Sequence, residues 1–139
     1  PERYDAPAPG PLSVPCGNVL AMSYDLAVWE GERPADDKAA GLVFEELYDR
    51  LVDTDVDLPP TERIAAYVAA LLARWCDLDE DEEDTSPWSS SPLINEASGP
   101  LVYFPMRFSM ADEASAFAAE LARSMGLVCY DPQTERLRA

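Results

Sequence analysis

The chain has 139 residues, 47% of them apolar, and a net charge of −17 from 27 acids against 10 bases. That length fits one domain with an ordinary core, and the charge repels phosphate backbones and anionic lipid, so no direct binding of nucleic acid or a membrane surface is expected. Histidine is absent, which excludes within this chain Ser-His and Cys-His nucleophile pairs, H-E-x-x-H zinc sites and histidine general bases.

No apolar run approaches the ~20 residues of a membrane span, and no positive segment followed by an apolar one marks a secretory signal. Cys16, Cys76 and Cys129 are widely spaced and odd in number. Reduced thiols in a cytoplasmic protein are the expectation, with Cys76 and Cys129 packed in the core. Lys38 is the sole lysine and sits among charges at a helix start, a poor place for a buried Schiff-base amine.

Residues 1–21 carry Pro1, Pro7, Pro9, Pro11 and Pro15 and read as an extended, proline-rich arm. Met22 is a plausible natural start, and 22–139 reads as a single domain. In SYDLAVW, 23–29, the residues Tyr24, Leu26 and Val28 alternate with Asp25, Ala27 and Trp29, which predicts a strand. A helix over 35–52 follows from Ala39, Leu42, Val43, Leu47 and Leu51, with Asp36 and Asp37 favourable at its N-terminus. Gly41 inside it costs about 1 kcal/mol against alanine. After a turn over 53–60, the stripe Ile64, Tyr67, Val68, Leu71, Leu72 and Trp75 predicts a helix over 61–76, opened by Pro59-Pro60.

Residues 77–92, DLDEDEEDTSPWSSSP, hold seven acids in their first eight positions. Asp77, Asp79 and Asp81 match the start of a calcium loop, but Glu82 stands where glycine is needed and Trp88 where the bidentate Glu belongs. No metal or cofactor is therefore expected. The block reads either as a solvated loop, which frays the helix before it, or as a docking surface formed by Asp79, Glu80, Asp81, Glu82, Glu83 and Asp84. Trp88 is then an interface anchor; its alternative role is to fold back onto the core.

PLVYFPMRF, 100–108, is a strand that Pro105 makes an edge or a bulge. Ser109-Met-Ala-Asp112 reads as a variant capping box for a helix with Ala114, Phe117, Ala118, Leu121 and Met125 inward and Gly126 at C′. LVCYD, 127–131, is a strand, and 135–138 is a last strand or a tail. The order predicts an α+β fold, a three- to four-stranded sheet with about three helices packed on one face. A β-α-β crossover makes 100–108 and 127–131 parallel.

MSYDLAVWEG (22–31), the SPW…SPL loop (86–93), ASGPLVYFPMRFSMADEASAFAAELARSMGL (97–127) and CYDPQTERLR (129–138) together resemble a family of small, largely uncharacterised bacterial proteins, mainly actinobacterial. The resemblance spans about 22–138, and its start and end motifs are distinctive in combination. It implies a compact cytoplasmic α+β domain; the family has no established activity, so no catalytic residue is carried over from it. In type, though not in motif, the chain is also similar to immunity proteins that neutralise bacterial toxins.

Function then points to binding rather than catalysis: an acidic domain that docks a basic protein, in its most concrete form a toxin. The alternative is a ligand-binding or enzymatic pocket between sheet and helices lined by Tyr24, Asp25, Tyr103, Arg107 and Tyr130, with Asp131 a further acid at a strand end. A third reading is self-assembly through an exposed strand 100–108. Oligomeric state stays open at this level.

Overall fold

A computed structural model describes residues 23–55, 58–80 and 85–138. The proline-rich arm, Met22 and the acids Asp81, Glu82, Glu83 and Asp84 lie outside the described residues. The chain forms β1 (Ser23–Trp29), α1 (Asp37–Leu47), α2 (Glu62–Arg74), β2 (Ala97–Ser98), β3 (Leu101–Arg107), α3 (Ala111–Ser124), β4 (Val128–Asp131) and β5 (Arg136–Arg138). The fold is α+β, with an antiparallel sheet in the order β2-β3-β1-β4-β5. The one strand beyond expectation, β2, is two residues long, and 135–138 supplies the last strand as the three-residue β5.

Helix starts follow local chemistry. Asp36 caps α1, its Oδ1 accepting from Ala39 N at 2.8 Å, and Thr61 caps α2 by accepting from Ile64 N at 3.2 Å, each satisfying a free amide of the first turn. α1 gives way to a π-helical turn over Tyr48–Val52. α3 departs from expectation: no capping box forms at Ser109. A 3-10 turn over Phe108–Met110 leads into the helix, whose N-cap is Met110 without a side-chain bond. Gly126 does take the left-handed C′ conformation, at φ 73°, which a Cβ would disfavour.

The helices do not share one face. On one side Leu26, Val28, Val102, Phe104, Met106 and Cys129 pack against Ile64, Tyr67, Val68 and Leu71 of α2 and Ala114, Ala118 and Ala122 of α3. The small alanines let α3 lie close to the sheet, and Tyr67 of α2 donates its hydroxyl to Ala118 O at 2.8 Å. On the other side Ala27, Trp29, Leu101, Val128 and Tyr130 pack under α1 through Ala40 and Leu47, with Val43 and Phe44 beside them. β1 is buried on both faces from Leu26 to Trp29, as befits the centre of the sheet. Leu42, expected on the buried side of α1, is exposed.

β3 is not an edge. It pairs with β1 along its whole length and with β2 at Leu101 and Val102. Beyond β2 its outer side meets residues 87–89: Arg107 N donates to Pro87 O at 2.6 Å and Ser89 N to Pro105 O at 3.1 Å. A strand residue points its N–H and C=O to the same side. Pro105 therefore turns its missing donor outward, where the sheet tolerates it. β3 and β4 do run in the same direction, since both are antiparallel to β1, but β1 lies between them, giving a split β-α-β unit. No helix among the described residues is long and apolar enough to cross a membrane.

Candidate functional site

The acidic loop begins under close local control. Asp77 Oδ1 accepts from Leu93 N at 2.8 Å, and Asp79 Oδ1 accepts from the Ser91 hydroxyl at 2.6 Å. These bonds fasten the turn Leu78–Glu80 to the serine-rich segment across the loop. Asp79 and Glu80 stand exposed.

Trp88 is not a surface anchor. It is 0% exposed, its indole N–H donates to Trp75 O at 2.9 Å, and its ring meets Trp75 and Phe104 edge to face at 5.9 Å. Trp75 in turn contacts Phe117 and carries the Arg74 guanidinium over its face at 4.1 Å. An indole needs both apolar contact and a hydrogen-bond acceptor when buried, and the carbonyl of Trp75, the C-cap residue of α2, supplies that acceptor. The tryptophan thus folds the loop back onto the core.

The sequence motifs YD (24–25) and YDPQ (130–133) meet at one end of the sheet. Asp131 is buried, and both its oxygens are engaged. Oδ1 accepts from Gln133 N at 2.9 Å, Gln133 Nε2 at 2.6 Å and Thr134 N at 3.4 Å. Oδ2 accepts from the Tyr24 hydroxyl and lies 3.7 Å from Arg138 Nη1. Burial, then the bond to Asp131, pushes the Tyr24 hydroxyl up to about 12. Arg138 also reaches Ser115 Oγ of α3 at 3.4 Å. A buried carboxylate with this many donors is satisfied, and its geometry closes the turn 131–134.

Asp25 lies on the opposite face. It accepts from Ser23 Oγ at 3.2 Å and from the Tyr103 hydroxyl at 3.4 Å. Burial raises its carboxyl above the ordinary value, partly offset by those two bonds. Burial and the facing Asp25 push Tyr103 up to about 12. Tyr103 packs with Phe44 and Tyr48 at 5.4 and 5.8 Å between ring centres, and Phe44 also touches Tyr130. Arg107 stands opposite Ser23, on the Asp25 side of the sheet.

Of the five pocket residues read from sequence, Tyr24 is therefore separated from Asp25 and Tyr103 by the sheet itself. Tyr130 sits on their side but under α1, at the margin of a cleft of about 360 Å³ that also touches Lys38, Gly41 and Glu45. The residues missed were Gln133, Phe44 and Tyr48. The Asp-Pro-Gln turn was visible, but nothing local says that a glutamine will bond to a strand 108 positions away. No family model, curated protein or solved structure matches this chain.

Proposed function

We propose that this is a non-enzymatic, acidic protein-binding domain that docks a basic partner, with an immunity-like inhibitor of a toxin as its most concrete form. The observation that supports it is the placement of the acids. Asp36, Asp37, Glu45, Glu46, Asp49 and Asp53 on α1 and its following turn, and Asp79 and Glu80 beyond α2, stand exposed, while the buried Asp131 is held by internal donors. Exposed carboxylates of one sign steer a cationic partner and speed its association, most strongly at low salt.

The test is binding to the product of the adjacent gene or to a basic protein captured from the native host. Association measured by stopped flow should slow with added salt. It should also slow in an Asp79→Ser/Glu80→Ser variant. Salt-independent association, or rates unchanged in that variant, would count against the acidic docking surface.

A second reading, a small-ligand or enzymatic site, is favoured by one observation: the raised carboxyl of Asp25 bonded to Tyr103. A partly desolvated acid beside a tyrosine hydroxyl is a pairing that acid–base sites use. Turnover or saturable ligand binding abolished by Asp25→Asn would favour this reading over the first.

A further inference from the structure

We propose that the cleft between α1 and the β4–β5 turn is a docking site for an arginine side chain of a basic partner protein. The inference rests on the protein-binding reading above and gives it a location and a residue type. The cleft measures about 360 Å³, near the low end of the roughly 300–1,000 Å³ range of ligand sites. Asp37, Lys38, Gly41 and Glu45 of α1 line one wall, and Tyr130 and Glu135 the other. Asp37 fastens the walls together, its Oδ1 accepting from Leu137 N of β5 at 2.9 Å.

Tyr130 supplies the observation that points to an occupant. The residue is 4% exposed, its ring packed on Trp29 and Phe44. Its hydroxyl passes over Gly41, 3.0 Å from the position a Cβ would take there, and so reaches the cleft. Among the described residues that hydroxyl has no hydrogen-bond partner, although a buried phenol ordinarily finds one. Burial, then the charges of Glu135, Glu45 and Asp37, raise the pKa of the hydroxyl. All three carboxylates therefore act on the same point.

The charges around that point choose the occupant. Glu45 and Glu135 stand exposed, and neither carboxylate has a hydrogen bond or ion pair among the described residues. Glu135 holds φ at 58°, a conformation that glycine or asparagine takes more readily, so the chain keeps a charge there against backbone preference. Three acids face one base, Lys38, which leaves the cleft anionic. Acceptors on both walls suit a guanidinium, with its five donors in a planar fork, better than the point charge of an ammonium. Leu42, 62% exposed on the same cleft, offers apolar contact to the methylene stem. A second copy of this chain as occupant is disfavoured by the charge of −17 on each.

The probe is a fluorescent peptide with blocked ends, one central arginine and a flanking lysine on each side, spaced by glycines and titrated by anisotropy. The lysines read the general acidity and the arginine reads the cleft. Citrulline, neutral and similar in shape, in place of the arginine should weaken binding roughly tenfold; lysine there should weaken it less. Equal affinity for the citrulline peptide would overturn the cleft, and equal affinity with a central lysine would overturn the arginine assignment. Free acetylarginine amide binding as tightly as the peptide would make this a small-ligand site and overturn docking. A Glu45→Gln/Glu135→Asn variant should bind the arginine peptide roughly tenfold more weakly with no lower unfolding midpoint, since asparagine accepts the backbone at 135. A purely structural role for these acids predicts the reverse, lost stability and unchanged affinity. Tyr130→Phe should weaken binding severalfold, and Lys38→Gln should strengthen it. Backbone amide shifts on the unmodified chain should centre on 37–45 and 130–137. Shifts confined to the region of Asp79 and Glu80, or salt-sensitive capture of a basic partner undiminished in the Glu45→Gln/Glu135→Asn variant, would overturn the cleft while leaving acidic docking in place.

Discussion

The side chain of Gln133 pairs with the backbone of Asp25 as though it were a strand residue. Its Oε1 accepts from Asp25 N and its Nε2 donates to Asp25 O, both at 2.7 Å. The carboxamide continues the β1–β4 ladder past the last residue of β4, while Nε2 also holds Asp131 Oδ1 at 2.6 Å. One side chain thus joins the sheet to the turn that follows it.

Replacing Gln133 removes the partners of the Asp25 backbone N–H and C=O. Each hydrogen bond contributes about 1 kcal/mol net, so Gln133→Ala should lower stability by about 1–2 kcal/mol. Gln133→Glu should cost more, because a carboxylate there faces Asp131 and has no donor for Asp25 O. Urea unfolding of the three proteins checks the order.

Trp88 tests whether the loop is part of the core. Trp88→Ala should destabilise by about 3–5 kcal/mol, the range for a large buried aromatic, and Trp88→Phe by less, losing mainly the bond to Trp75 O. If Trp88→Ala unfolds at an unchanged denaturant concentration, the ring does not anchor the loop.

Gly41 and Tyr130 should be coupled. A Cβ at Gly41 would lie 3.0 Å from the Tyr130 hydroxyl oxygen, so the helix gives up about 1 kcal/mol of propensity to let that hydroxyl pass. Gly41→Ala should gain little or lose stability alone, yet gain about 1 kcal/mol in a Tyr130→Phe background. Additive effects in a double-mutant cycle would refute the contact.

Asp25 should make stability depend on pH. Burial raises its carboxyl in the folded state, so the native chain holds that proton more tightly than the unfolded one. The residue's contribution is most favourable below its unfolded pKa and is lost as pH rises through the folded value. Asp25→Asn, which keeps an acceptor for Tyr103, should therefore melt higher than the parent at neutral pH. The gap should close in acid. Thermal melts across that range read it directly.

Local periodicity made most elements legible. The stripe Ile64, Tyr67, Val68, Leu71 defined α2 because helical spacing places those side chains on one side. The alternation in SYDLAVW marked β1. The failures share a cause. Ser109 matched a cap by spacing, yet the preceding 3-10 turn moved the helix start past it. Pro105 argued for an edge, but only its outward orientation was required, and the loop 87–89 covers that side. Trp88, set among acids and serines, fitted both a surface anchor and a fold-back onto the core, because the partners that decide for the core, Trp75 and Phe104, lie 13 and 16 positions away.

Composition determined the acidity and the lack of imidazole chemistry, and short-range pattern the α+β character. Tertiary structure decided which face each helix covers, which carboxylates are buried and bonded, and that YD and YDPQ share one cluster. Such outcomes depend on strand order: placing β1 between β3 and β4 brings residues more than a hundred positions apart within hydrogen-bond distance. Spacing along a chain carries no record of that pairing.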